Sequence, residues 1–421
     1  MAKTVPLDAP TLAWARTVFG DYYHRARVDP PERLTRREFA AFPFATETFM
    51  RRHATLRTPE EFRAFLTTEV PRHVYYSSAY YRHPAETNMS AKEWLGADLI
   101  FDLDSDHLRG AESLRFEGQL ALVKRKLVAL LDDFLFGDFG IDPRETAVVF
   151  SGGRGYHVHV RAEGFRSLTS PERRELVDYV LGTGVDPLRA VRTREQTVDV
   201  PVGGESGDEE PTTRRGRSSV PRARYLVAPD APGWSGRTTR SVLELLDRWQ
   251  KVGPKAAAEE MVGFGVAPAK ARKWARALLE GDGAAKIRKT GTLEVFQKEV
   301  PDEFLAAVLP RAAIELQGET DAPVTTDIHR LIRLPGSLHG GTGLRVVPLE
   351  REALDDFDPF RDALPGPLDG ARTTVDFTQD VAYPFPAGGL SGRAGATASL
   401  PTPLALFLVL RGEAVLPTSP A

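Results

Sequence analysis

Residues 96–108 read GADLIFDLDSDHL, and four of these thirteen positions are aspartate: Asp98, Asp102, Asp104 and Asp106. The apolar letters between them, Leu99, Ile100, Phe101 and Leu103, are those of a buried β-strand. Side chains alternate faces along a strand, so Asp102 and Asp104 share one face. Two neighbouring carboxylates repel each other, and a divalent cation between them relieves that repulsion. Paired carboxylates at this spacing suit metal-dependent nucleotidyl transfer, in which two ions activate a hydroxyl and stabilise a leaving pyrophosphate. Nucleotide-sugar transferases use the same Asp-x-Asp pattern. Asp98 and Asp106 share the parity of the pair and are expected in solvent at the fraying ends of the strand.

A second stretch, SGGRGYHVHV (151–160), adds phosphate chemistry. Its Ser151-Gly152-Gly153 turn offers backbone N–H groups to an anion. Arg154 is a fixed cation suited to bidentate phosphate contact. His157 and His159 lie two apart on one strand face. They read either as a pair of zinc ligands, or as His157 facing a triphosphate with His159 packed behind it. A plain glycine-rich hairpin with a surface arginine has the same letters. The third stretch, DAPVTTDIHRLIRLPGSLHGGTGLRV (321–346), carries Arg330, Arg333, Arg345, two histidines and a glycine-rich turn. Such a segment suits an anionic ligand, although a strand–turn–strand with ordinary surface charges would also read this way. A carboxylate just before its basic run would complete a three-aspartate metal cluster. Spacing does not choose between Asp321 and Asp327.

Together LIFDLDSD, SGGRGYHVHV and RLIRLPGSLHGGTGL resemble the catalytic small subunit of archaeal/eukaryotic-type DNA primases, in the archaeal form. RREFA (36–40), RRHATL (51–56) and HVYYSSAYY are similar to that family's N-terminal motifs, and the motifs run in the family's order from about residue 20 to 348. The resemblance implies that Asp102 and Asp104 are the paired metal-binding aspartates. It registers the third on Asp321 rather than Asp327. It implies that Ser151, Arg154 and His157 bind the incoming nucleotide's phosphates, that Arg333 and His339 complete that pocket, and that Arg52 lies near the same phosphates. His159 then becomes a packing residue. The implied activity is DNA-templated synthesis of short RNA primers from NTPs, with dNTP use open, through two Mg²⁺ or Mn²⁺ ions. The implied partners are a single-stranded DNA template and a large subunit that carries an iron–sulfur cluster.

One feature departs from the family. Its small cysteine-ligated zinc element has no counterpart in a chain without cysteine. His73, His83 and His107 are too scattered to replace it, so zinc is not expected. The rival readings are a repair polymerase of the same superfamily, like the polymerase module of bacterial end-joining ligases, and an inactive nucleic-acid-binding subunit. The RLIRLPGSLHGGTGL string and the want of a ligase or nuclease module disfavour the first. Retention of three aspartates disfavours the second.

These motifs need a scaffold, and the periodicity predicts one. Apolar positions at helical spacing mark residues 10–28 and 111–136, the latter through Leu120, Val123, Leu127, Leu130, Leu131 and Phe134. Thr58 and Glu61 form a capping box for a helix. TAVVFSGGRGYHVHV reads as a hairpin. Helical patterns return at 171–182, 240–280 and 301–309. The expected fold is α+β: a primase–polymerase core with a mixed sheet flanked by helices, plus a smaller, mostly helical insertion. Residues 1–204 and 311–385 would form the core, and 205–310 a linker and the insertion. Residues 386–421 would be a flexible linker, through 401, and a C-terminal helix. The polar, charge-segregated stretch 202–224 is a second expected mobile segment.

The bulk numbers agree with a globular chain of one large or two ordinary domains: 421 residues, 42% hydrophobic, 27% charged. A net charge of −3 argues against a uniformly basic coat protein, though not against a local basic groove. The N-terminus lacks an apolar signal core, and no apolar run approaches the roughly 20 residues of a membrane helix. A cytoplasmic protein with no membrane partner is the expectation.

Overall fold

The computed structural model describes residues 7–45, 49–108, 110–195, 222–295, 302–315, 318–368, 370–386 and 388–417. Backbone contacts divide the chain into two compact units, Met1–Val177 with Glu319–Ala421, and Asp178–Gly318.

The first unit carries all the candidate site residues. Its N-terminal helix, Ala9–Arg25, starts where the Asp8 side chain accepts a hydrogen bond from the Thr11 N–H at 2.9 Å. The helix buries Leu12, Ala15, Phe19, Tyr22 and Tyr23. This stripe packs against strands Phe39–Phe42 and His73–Ser77 in a core shared with Ile100, Leu334 and Leu406. Helix Phe116–Ala129 continues through Asp138 with a wider, π-type turn, and the six apolar positions from Leu120 to Phe134 are buried as their spacing requires.

Two four-stranded sheets position the motifs. One runs in the order Leu331–Arg333, His73–Ser77, Phe39–Phe42, Arg51–Ala54. The other runs Val347–Leu349, Thr146–Phe150, Gly155–Val160, Leu99–Asp104. The α+β class holds. Every strand pair among the described residues is antiparallel, however, where a mixed sheet was expected. A short connection accounts for this in the Thr146–Phe150/Gly155–Val160 hairpin, since parallel neighbours need a long crossover; other antiparallel pairs, such as Leu331–Arg333 with His73–Ser77, join distant segments.

Two expectations need correction here. Of the stretch 386–401 expected as a flexible linker, the described residues 388–401 are largely strand: Leu390–Gly392 pairs with Val381–Tyr383, and Thr397–Pro401 pairs along the whole of Arg372–Asp376. Its Gly, Ala and Ser content imitates a linker, but the segment is strand, and at Gly392 the small residue serves packing. A Cβ on Gly392 would stand 2.3 Å from the Phe377 ring. The apolar segment that follows is the core helix Thr402–Leu410, whose Phe407 meets Phe116, Phe385 and Tyr383. Asp98 is not solvated either. It is 1% exposed and is salt-bridged to Arg37 at 2.8 Å.

The second unit encloses the segment expected as a helical insertion. It contains helices Gly233–Gly263 (kinked at Gly253–Pro254), Pro268–Leu279, Gly283–Thr290 and Asp302–Glu315, and a strand pair Val191–Glu195/Arg222–Leu226. Of the expected mobile stretch 202–224, only 222–224 are described, and they begin the second of those strands. Among the described residues no helix is long and apolar enough to cross a membrane.

Candidate active site

The site is built around the end of strand Leu99–Asp104. Asp102 and Asp104 are half-buried on one face of it, with Leu103 between them facing the core. In the neighbouring strand His157 stands opposite Asp102, and Gly155 stands opposite Asp104. A side chain at Gly155 would put its Cβ 2.2 Å from the Leu103 carbonyl, so this register admits only glycine there.

Asp321 reaches the same place from a distant part of the sequence. Its backbone N–H donates to the Asp102 carbonyl at 2.8 Å, and the Thr320 hydroxyl donates to the same oxygen at 3.3 Å. Asp321 occupies the N-cap position of the short helix Ala322–Thr326, yet its carboxylate makes no capping bond. It stands 3.8 Å from His107 Nε2. Asp327, the other candidate, turns its carboxylate back to the His329 N–H at 2.9 Å.

The electrostatics converge on Asp102. Burial first, then the charges of Asp104 and Asp321, push its carboxyl up to about 7, against the pull of Arg330 and Arg333. His157 sits across from it with Nε2 3.7 Å from Asp102 Oδ1, too far for a hydrogen bond. Burial and the nearby Arg333 and Arg330 charges depress the His157 ring to about 3, so it is neutral near pH 7, and its Nδ1 is buried without a partner. His159, one strand step deeper, lies parallel to the Tyr76 ring, as a packing residue would.

The glycine loop and the His339 segment form one packed body. Gly152 has φ +74°, and a Cβ there would lie 2.7 Å from His339 Cβ. Thr342 donates its hydroxyl to the Gly152 carbonyl, and His339 Nδ1 accepts from the Gly341 N–H at 3.2 Å. Ser151 closes the turn: its N–H donates to the Gly155 carbonyl at 3.0 Å, and its Oγ accepts from Gly153 at 3.3 Å. Burial, then Arg333, holds His339 well below its ordinary range.

The three arginines differ. Arg154 pairs with Asp106, and its Nε lies 3.9 Å from Asp104. Among the described residues Arg333 forms no ion pair; it donates from Nη1 to His73 Nδ1 at 2.7 Å and lies 5.1 Å over the Tyr75 ring, with a buried Nε left over. Arg52 is drawn away to Glu38, a fully buried carboxylate that also holds Lys92.

The donor set around Asp102 is carboxylate oxygen, which suits a hard divalent ion. Among the described residues no three His, Asp or Glu side chains are drawn together tightly enough to cage an ion. Burial is the first cause of the raised Asp102 carboxyl, and the Asp104 and Asp321 charges add a repulsion that a cation would relieve.

Comparison with known proteins decides the family. Residues 101–351, from the aspartate strand past the His339 turn, match the family model described as DNA primase small subunit. The chain is 39% identical to the DNA primase small subunit of Methanocella arvoryzae, over 97% of this chain and 99% of that protein. It is 37% identical to that of Halobacterium salinarum over 97% and 99% of the two chains, and 38% identical to that of Methanothrix thermoacetophila over 85% and 87%.

The chain belongs to the DNA primase small subunit family.

In this primase family member the matched span contains every candidate site residue except Arg52. Sequence reasoning missed three residues of the site. His73, on strand His73–Ser77, touches both Arg333 and His339; the two rings stand 5.4 Å apart. Burial, Arg333 and Arg72 keep His73 neutral and able to accept. Asp106 lies exposed beyond the strand end, as expected, and there it pairs with Arg154, which the spacing did not show. Glu38 anchors Arg52. The available signal was parity: His73 and Tyr75 share a face, and Arg333 pairs with Tyr75 across the ladder.

Proposed function

We propose that this chain is the catalytic subunit of a DNA primase, a nucleotidyltransferase of DNA replication that makes short RNA primers from NTPs on single-stranded DNA. The observation that carries the reading is the loading of Asp102 by burial, Asp104 and Asp321, with uncharged His157 opposite and two arginines beyond. Asp102, Asp104 and Asp321 would hold Mg²⁺ or Mn²⁺. Bound there, the ions would lower the pKa of a primer hydroxyl and neutralise charge on the α-phosphate and pyrophosphate. Arg154 and Arg333 would take the triphosphate tail, with His157 and His339 as uncharged hydrogen-bonding partners beside it and the Ser151–Gly153 turn offering N–H groups. Arg52 reaches the tail in this reading only by leaving Glu38. The working unit is a heterodimer in the cytoplasm. Its large subunit would carry the iron–sulfur cluster, for which this chain has no cysteine.

The test is synthesis on single-stranded DNA without a primer, with labelled NTPs and then dNTPs, in Mn²⁺ or Mg²⁺. It compares the wild type with Asp102→Ala plus Asp104→Ala, each with and without the large subunit. Products from the wild type alone are expected. Extension of a supplied primer without any de novo product would favour a repair polymerase. Neither activity from the complex would defeat the reading.

His73→Phe separates binding from chemistry. It removes the acceptor that orients Arg333 and keeps an aromatic ring. A hydrogen bond to a charged group contributes about 1.5–3 kcal/mol, so KM for NTP should rise at least about tenfold. The kcat should change less than KM, since His73 acts only through Arg333, which would grip the tail in the ground state as well as in the transition state. His73→Asn should restore part of the loss. Steady-state primer extension against NTP concentration reads both parameters, and an unchanged KM would remove His73 from the pocket.

A further inference from the structure

We infer that Asp106 is the resting counterion of Arg154, exchanged for nucleotide phosphate, and that this exchange makes nucleotide entry depend on the divalent metal. The inference rests on the nucleotide-site reading above. Asp106 lies in the single turn Ser105–His107 that follows the aspartate strand. Its N–H donates to Asp104 Oδ1 at 3.1 Å, and its carboxylate accepts from Arg154 Nη2. One turn thus ties a candidate metal carboxylate to a candidate phosphate-binding arginine.

The pair is built to be exchanged. The Asp106 and Arg154 side chains are 38% and 25% exposed, so an incoming anion can reach them. Arg52 shows the contrasting design: its partner Glu38 is fully buried and holds Lys92 as well, so that pair is fixed. A triphosphate arriving without metal must strip Arg154 from Asp106. The freed carboxylate then faces a polyanion, next to Asp104 and Asp102. Like charges in a partly dehydrated site repel strongly. With divalent ions on the aspartates, the same exchange leaves Asp106 in a field that is no longer so negative. Asp106 therefore opposes metal-free nucleotide and tolerates the metal complex. This is a coupling between two ligands, and it must appear equally in either one's affinity.

Calorimetric titration of ATP into the full-length chain, in EDTA and in MgCl₂, tests this with Asp106→Asn, Arg154→Ala and the double variant. In EDTA, Asp106→Asn should bind ATP roughly three- to tenfold more tightly than the wild type, the range a partly exposed ion pair allows. The improvement conferred by Mg²⁺ should shrink by the same factor. The gain should shrink in the Arg154→Ala background by the share that comes from breaking the ion pair. Equal or weaker binding by Asp106→Asn in EDTA, or a gain that Arg154→Ala leaves undiminished, would overturn the proposal while leaving the nucleotide site standing. A wild type that binds ATP in neither buffer would bring down both.

Discussion

Asp102→Asn should lower primer synthesis at least about a thousandfold and, in the same protein, raise the stability of the metal-free fold at pH 8. The first effect follows from removing a charged ligand at the reacting centre, where electrostatic stabilisation is usually the largest contribution. The second follows from linkage. Asp102 is held near 7 in the folded protein against an ordinary value of 3.8. Between those values the folded state keeps a proton that the unfolded chain has released, so metal-free stability falls as pH rises from about 4 to about 7. Asparagine cannot ionise and escapes that loss. The gain at pH 8 should be about 1–3 kcal/mol, below the full linkage value because Asp102 keeps some contact with water. On the metal-site reading, the wild type would recover the difference by binding cations. Its affinity for Mn²⁺ should drop about tenfold per pH unit below 7, because the ligand must shed its proton first. Thermal melts in EDTA and in Mn²⁺ at pH 6 and pH 8 read all of this. A variant no more stable than the wild type in EDTA at pH 8 would show that Asp102 is not loaded as described.

Arg37→Met is expected to produce the largest loss of stability, about 3–5 kcal/mol, through the charge it leaves behind. Arg37 and Asp98 are 2% and 1% exposed. The guanidinium donates to the Ser77 and Ser78 carbonyls at 2.7 and 2.9 Å, to the Tyr80 hydroxyl at 2.9 Å and to Asp98 Oδ2 at 2.8 Å. Tyr80 in turn donates to Asp98 Oδ1 at 2.6 Å. Methionine fills the space but supplies none of these bonds. Asp98 precedes the aspartate strand directly, so the stranded charge sits at the root of the candidate metal carboxylates. Adding Asp98→Asn should recover a substantial part of the loss, because the amide oxygen still accepts from Tyr80 and no charge remains. Urea unfolding followed in both variants decides it. If the double variant is no better than Arg37→Met alone, the cost lies in packing and not in the unpaired charge.

What could be read from the letters was local. Parity placed Asp102 and Asp104 on one face, and the hairpin around the glycine turn followed from two strand-like runs; the ladder from Thr146↔Val160 to Phe150↔Tyr156 has that form. Thr58 caps its helix by accepting from the Glu61 N–H at 3.2 Å, while the Glu61 carboxylate reaches back to the Arg57 N–H at 2.7 Å. The misreadings share one cause. Asp98 looked like a solvated strand end because Arg37, 61 residues earlier, is invisible to any local window. His73 looked stray because Arg333 lies 260 residues later. Segment 390–401 looked like a linker because glycine content does not reveal a ring of Phe377 lying over it. Partners brought in by sheet order leave no periodic trace.

The hydrogen bond from Asp321 to the Asp102 carbonyl, and that from Thr342 to Gly152, also set when the site can exist. Both join segments made before Asp178–Gly318 to segments made after it. A nascent chain carries Asp102 and Asp104 long before it carries Asp321, and the strand Val347–Leu349 that edges their sheet arrives later still. Closing so long a loop is an entropic cost met only once the returning segment can pair. Synthesis therefore keeps the acidic cluster incomplete until Asp321 has been made, and leaves its sheet without the edge strand until translation has passed Leu349.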